Sequence, residues 1–510
     1  MKPEMYCLLT DPLIPVRFDS SLDRHLTLPD ILAALSQGTD IEFPSARPHQ
    51  FLPWYTFLVQ LAAMAMHKSN QLKLPTAASD WKGLLLNLAQ GQSEVFTLIV
   101  DDLSKPAFMQ TPVPEGSLGV LKNQTEYPDV LDVLVTAKNH DLKVARIIHP
   151  GPDHWIFSLI TLQTTEGFLG AGNYGILRMN GGFASRPYVA VTPSLSWAAR
   201  FIRDVPLLCK NRANLIQQYG YRESNGKTLL WIDSWDGSTS LKLAECDPYF
   251  IEICRRVRLV LINGDVQARA GSSKIQRIHE PGLKGNTGDP WTPIHRGDEG
   301  KSLNVGPTGY GYALAAQLLF QGDFKPGMCQ SLQPNDPESM IFTGYALARK
   351  QGGTQGIHER TFPIPSKPRK LLGSSAGKDT LSKIAKSRIE MVKVWSKEIL
   401  RPALCSLLQG GTEKLDMKDE RTRHWEACLD RSVDDIFFEY LWRDVEKPHE
   451  EASLNWLNDI YALAVKQLQD AVTACSLHSA RHYRSIAAAE QRFYGVAQNK
   501  FPELFQTYGE

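Results

Sequence analysis

From residue 5 to residue 18 apolar and polar positions alternate, and the pattern predicts a strand with a turn at Asp11-Pro12. Residues 28–35 predict a helix, with Pro29 in an opening position where its missing N–H costs nothing. Residues 51–67 are apolar on nearly every side and predict a buried helix. Residues 80–89 predict another, with Asp80 as its cap. From residue 95 to about residue 307 the texture changes. Short strands are predicted at 95–100, 154–161 and 257–262, between loops rich in Gly, Asn and Pro. Residues 314–320 predict one short helical stretch. This region reads as a large, irregular mixed α+β body.

Between residues 362 and 379, Pro363, Pro365 and Pro368 are followed by Gly373, Ser374, Ser375 and Gly377, a cluster that predicts a break in regular structure. Beyond it the period is helical. Helices are expected at 380–408, 423–445, 450–474 and 480–497, and amphipathic helices in series argue an antiparallel four-helix bundle. The expected organisation is thus a body over 1–365, a linker over 366–379 and a bundle over 380–510. On the first bundle helix, Leu381, Ile384, Ala385, Met391, Val392, Trp395 and Ile399 share one side. Lys383, Lys386, Lys393 and Lys397 share the other.

Charge changes the picture only locally. Lys+Arg number 56 and Asp+Glu 55 in 510 residues, a formal net charge of +1. A free-standing nucleic-acid binder is usually more basic. Residues 361–401, however, hold ten basic and three acidic side chains, and residues 402–460 hold seven basic and fourteen acidic. The lysine row is a solvated face or a strip that tracks phosphates. Hydrophobic residues at 43% exclude a mainly disordered chain. Asp11 and prolines interrupt the first residues where a signal peptide needs an apolar core. Residues 51–66 are too short to span a bilayer, so a cytoplasmic chain with no membrane partner is expected.

Several strings imitate catalytic motifs. Gly170-Ala-Gly-Asn-Tyr-Gly175 matches the dinucleotide-binding glycine pattern, but residues 176–180 run straight into Gly181-Gly182 and leave no room for the helix that must receive a pyrophosphate. Gly373-Ser-Ser-Ala-Gly377 lacks the buried strand of a nucleophile elbow. His358-Glu359-Arg360 lacks the second histidine of a zinc protease. None of the eight cysteines forms a Cys-x-x-Cys pair, and His149, His154 and His295 have no ligand spacing. No metal, no cofactor and no catalytic constellation are expected. An enzyme using the 170–175 loop for a nucleotide cofactor, and a protein-docking scaffold, remain the rival readings.

Three loops combine glycine, amides and basic residues. They are residues 137–146, residues 167–182 with Asn173, Arg178 and Asn180, and residues 349–360. Glycine lets a backbone approach a groove closely, amides donate and accept, and Lys or Arg neutralises phosphate. Together with Leu8-Leu-Thr-Asp-Pro-Leu-Ile-Pro-Val-Arg17, Pro106-Ala-Phe-Met-Gln-Thr-Pro112, Arg186-Pro187 and Leu283-Lys-Gly-Asn-Thr-Gly-Asp-Pro-Trp-Thr-Pro293, they form an ordered set over nearly the whole chain. In this set the chain resembles the CasA family, the large subunit of the type I-E CRISPR surveillance complex Cascade.

The resemblance implies a non-catalytic subunit that recognises the protospacer-adjacent motif (PAM) in duplex DNA and promotes strand opening and R-loop formation. Guide pairing then reads the sequence. It implies that Gly170, Ala171, Gly172 and Asn173 enter the minor groove, with Thr354, Gln355 and Gly356 as a wedge and Lys284 or Lys274 as a lysine finger. Lys138, Asn139, His140, Asp141 and Lys143 would meet the handle of the CRISPR RNA and neighbouring subunits. The bundle would contact opened strands and help recruit a helicase-nuclease. Implied partners are the guide-loaded backbone, small and handle-binding subunits and target double-stranded DNA.

Overall fold

A computed structural model describes residues 5–18, 22–132, 147–181, 184–297, 300–350, 353–475 and 479–505. The chain divides into two compact units, one of residues 1–310 and 322–363, the other of residues 311–321 and 364–510. Small sheets and helices mix in the first, and the second is helical, so the fold is α+β.

The first unit is organised around the helix Pro48–Lys68, with Pro48 at its opening position and Trp54, Tyr55 and Phe57 fully buried. It packs against the helices Pro152–Thr165 and Trp197–Tyr219. Where a strand was expected at 154–161 there is a helix. Trp155, Ile156, Leu159 and Ile160 are all fully buried, so apolar residues recur on every side and the hydrophobic period does not distinguish helix from strand. Pro152 at the first turn starts the helix. The helix at residues 80–89 runs instead from Ala78 to Leu88. Ala77 occupies the cap, and Asp80 sits in the first turn, where its charge favours the positive end of the helix. The alternating N-terminal stretch forms the strands Met5–Cys7 and Ile14–Phe18.

One three-stranded sheet pairs Asn123–Thr125, Asp265–Gly271 and Arg256–Ile262. Asn263 at φ +55° and Gly264 at φ +95° make the two-residue turn between the last two, the left-handed pair that a tight hairpin needs. A second sheet joins Gly353–Ile364, Met340–Lys350 and Tyr188–Thr192. Among the described residues no helix is long and apolar enough to cross a membrane.

The second unit departs from the expected organisation at its start. The stretch read as an irregular linker, 366–379, forms the helix Ser366–Leu372 and the first turn of the helix Ser375–Val394. Pro365 is the cap and Pro368 falls in the first turn, positions whose N–H groups lack helical partners anyway. Ser374 caps the next helix by accepting from the Gly377 N–H at 3.1 Å. A π-helical turn, Trp395–Leu400, leads into Arg401–Leu408. Thr422–Asp444, His449–Ala474 and Ser479–Lys500 complete the set of long helices. Trp395 is fully buried at the centre, stacked on Phe501 at 5.3 Å and 8° and flanked by Tyr461 and Phe493. The inserted segment 311–321 packs into this unit. The Tyr312 N–H donates to Asp434 at 2.6 Å, its hydroxyl donates to Asp430 at 2.9 Å, and its ring lies on Phe437.

Candidate nucleic-acid interface

Residues 170–173 form a closed turn. The Asn173 N–H donates to the Gly170 carbonyl at 2.9 Å, and the Leu169 N–H donates to the Asn173 carbonyl at 3.0 Å. Gly170 stands at φ +127° and Gly172 at φ +87°, backbone that side chains avoid, while Ala171 and Asn173 are exposed at the tip. The Gly172 carbonyl accepts from the Ser273 N–H at 3.0 Å, and a Cβ at 172 would lie 2.9 Å from the Ser272 Cβ. The glycine therefore allows the turn to lie directly on the 272–274 backbone.

That contact separates the two lysines. Lys274 is exposed and follows the residue that bonds the turn. Lys284 is half-buried at φ +47°, its carbonyl accepting from the Ser302 N–H at 3.0 Å. Gly285 beside it lies so close to the Met179 carbonyl that a Cβ would come within 2.6 Å, so Lys284 is placed at the far end of the 167–182 segment.

Two residues singled out in that segment are structural. Arg178 is 2% exposed, pairs with Glu252 at 3.1 Å and Asp289 at 3.1 Å, and lies 3.9 Å over the Phe250 ring. Asn180 donates to the Ser302 carbonyl at 2.8 Å. These partners hold Arg178 inside the unit and occupy the Asn180 amide. The cofactor reading also lacks its scaffold, since no described residue between 166 and 187 is helical.

Thr354, Gln355 and Gly356 do not lie in a loop. They open the strand Gly353–Ile364, the returning arm of a hairpin with Met340–Lys350, close to its tip. Gly356 stands at φ +151°, and a Cβ there would meet nothing nearer than His358 Nε2 at 4.0 Å. Ser185 Oγ donates to the Leu347 carbonyl at 2.6 Å and ties the hairpin to the segment following the glycine turn. Burial lowers the pKa of His358 and raises that of Glu359. The 138–143 loop, with Lys138, Asn139, His140, Asp141 and Lys143, lies outside the described residues.

On the second unit Lys383, Lys386, Lys393 and Lys397 are all exposed. Lys393 pairs with Glu390 at 3.1 Å, and Lys397 pairs with Glu426, which Arg401 also engages at 2.6 Å. Lys383 and Lys386 make no ion pair among the described residues. Burial pushes the thiols of Cys209 and Cys254 up to about 11 and that of Cys246 up to about 12. No group of acidic, His and Cys side chains among the described residues could hold a metal ion.

No protein-family model matches the sequence, and no curated protein does. Solved structures match over nearly the whole chain. CasA of Thermus thermophilus is 12% identical, with 97% of this chain and 100% of that chain covered at a TM-score of 0.65. Thermobifida fusca Cse1 is 13% identical, with 98% of each chain covered at 0.67. A chain of a CRISPR RNA-guided surveillance complex is 14% identical, with 96% of this chain and 100% of that chain covered at 0.58. At such identities the likeness is one of fold, and from the N-terminal strands to the last helix this chain has the fold of the CasA (Cse1) proteins.

Proposed function

We propose that the chain is the non-catalytic large subunit of a type I-E CRISPR surveillance complex, working in the cytoplasm. In this reading it binds target duplex DNA at the PAM, promotes strand opening and R-loop formation, and helps recruit a helicase-nuclease. The match in fold to a chain of an RNA-guided surveillance complex carries the reading. The local geometry supports it. A glycine turn with an exposed tip lies on the backbone next to an exposed lysine, and a hairpin brings Gln355 and Gly356 close to its tip. A minor groove about 6 Å wide admits backbone of this kind and few side chains.

The assignment of residues is ours as well. Gly170, Ala171, Gly172 and Asn173 contact the groove, and Lys274, bound through Ser273 to the turn, is preferred over Lys284 as the lysine finger. Thr354, Gln355 and Gly356 disturb the first base pairs. Lys138, Asn139, His140, Asp141 and Lys143 meet the CRISPR RNA handle and neighbouring subunits. Lys383, Lys386, Lys393 and Lys397 follow strand phosphates. The test is duplex-target affinity of the guide-loaded complex with and without this chain. Loss of affinity on omission is expected. Unchanged affinity would leave a docking scaffold as the better account.

A further inference from the structure

Beside the lysine row the helical unit opens into a cleft of about 240 Å³. The helix Ser375–Val394 forms one wall, and the start of His449–Ala474 with the connection before it forms the other. Ile384, Met391, Val445, Ala452 and Trp456 make the lining largely apolar, with the Ser387 and Ser453 hydroxyls among them. Arg388 also lines the cleft. It is 3% exposed, donates through Nη2 to Asp444 at 2.8 Å and lies 4.8 Å from the Trp456 ring centre. Its Nη1 is buried with no hydrogen-bond partner among the described residues. A buried donor left unpaired is costly, and an acceptor brought by a ligand would relieve that cost.

The charges around the cleft point to the ligand. Asp444, the acid in its lining, is already engaged by Arg388 and Arg443 at 2.8 Å and by Lys447 at 3.4 Å. Lys447 also pairs with Glu451 at 3.3 Å. Lys383 at the rim and Lys386 one turn further are exposed and make no such pair among the described residues, and they begin a row of lysines that extends about 20 Å along the helix, in which Lys393 and Lys397 already pair with Glu390 and Glu426. Two neighbouring cations without acidic partners among the described residues suit successive phosphates of a strand. An apolar slot bounded by the Arg388 guanidinium, itself seated over the fully buried Trp456 ring, suits a flat heterocycle with acceptors on its edge.

We infer that this cleft holds an unpaired nucleobase of a single strand whose phosphates run along Lys383 and Lys386. The inference rests on the proposed role of the helical unit in contacting opened strands, and it adds a base-binding site to a phosphate strip.

Salt-controlled fluorescence anisotropy on the full chain tests it, comparing a short single-stranded DNA with an abasic strand of equal length. Loss of the bases should weaken binding about tenfold. Ser453→Trp, which fills the cleft, should bind both strands alike, at the abasic level. Ser387→Trp fills it from the other wall and must agree, with circular dichroism melts showing that each variant folds. Lys383→Gln with Lys386→Gln should weaken both strands and flatten the salt slope. Equal binding of both strands by the unaltered chain overturns the inference. So does a base preference that survives both tryptophans, or no single-strand binding at low salt. Duplex binding by the complex with and without the chain tests the subunit reading separately, so either can fail alone.

Discussion

Replacing Gly172 by Ala tests whether the glycine turn must be held on the 272–274 backbone. At φ +87° a side chain costs roughly 1–2 kcal/mol. The new Cβ would also sit 2.9 Å from the Ser272 Cβ, well inside an ordinary carbon contact. Relief means lifting the turn and giving up the bond from the Ser273 N–H to the Gly172 carbonyl, worth about 0.5–1.5 kcal/mol. The sum is about 1.5–3.5 kcal/mol against the competent turn. Because apparent affinity scales with the competent fraction, duplex-target affinity of the assembled complex should fall by up to roughly 10- to 400-fold. The assay is a paired titration at one salt concentration, with the matching single strand as control, whose affinity should hold. Adding Ser272→Gly removes the collision while leaving the φ penalty, and should recover about 2- to 10-fold. Wild-type duplex affinity in Gly172→Ala, or no recovery in the double variant, would refute the idea that this contact positions the turn.

Gln355→Ala with Gly356→Leu should impair duplex targets far more than single-stranded ones in affinity titrations, because opening costs roughly 1.4 kcal/mol per stacking step and a single strand needs none; equal losses would make these residues a structural part of the strand. Converting Lys383, Lys386, Lys393 and Lys397 to Gln should flatten the salt slope of target binding by up to about 0.7–0.9 per lost phosphate contact. Most of that change should come from Lys383 and Lys386, since Glu390 and Glu426 already engage the other two. Arg178→Met should cost about 3–5 kcal/mol in denaturant melts by stranding the Glu252 and Asp289 carboxylates; a normal melt with a changed salt slope would return Arg178 to the DNA surface. The Arg421 hydrogen bond holds the Asp419 carboxyl down to about 2, so its stabilisation is complete above the ordinary value of 3.8 and is lost as pH falls through about 2. Asp419→Asn should therefore flatten the dependence of melting temperature on pH across that window, and an unchanged profile would remove the pair from the account of acid stability.

The long helices of the second unit were legible because each has a solvated face and a buried face, and only that arrangement writes a 3.6-residue period into a sequence. The helix Pro152–Thr165 was not, because it is buried on all sides and its one clear signal was Pro152 at the opening turn. Prolines also misled at 365–368, where position within a helix matters more than presence. The strands Met340–Lys350 and Gly353–Ile364 are hidden when residues 349–360 are read as a loop for their glycines, amides and basic side chains. Arg178 looked like a surface donor because its partner Glu252 lies 74 residues away. The proposed preference for Lys274 over Lys284 rests on the bond between Ser273 and Gly172, which no local pattern records.

The inserted segment 311–321 bears on how the protein is made. A ribosome adds roughly 5–20 residues per second, and Tyr312 precedes its partner Asp434 by 122 residues. For about 6–24 s the Tyr312 ring and the apolar side chains after it wait without the helices that will cover them. The hairpin Met340–Lys350 with Gly353–Ile364 is synthesised during that wait. The helical unit is thus begun before the first unit is finished and closed only after it. Cutting the gene before residue 364 would deliver a set of helices lacking the strip that seals them, and a separately expressed C-terminal piece should recover its stability when residues 311–321 are supplied as a peptide.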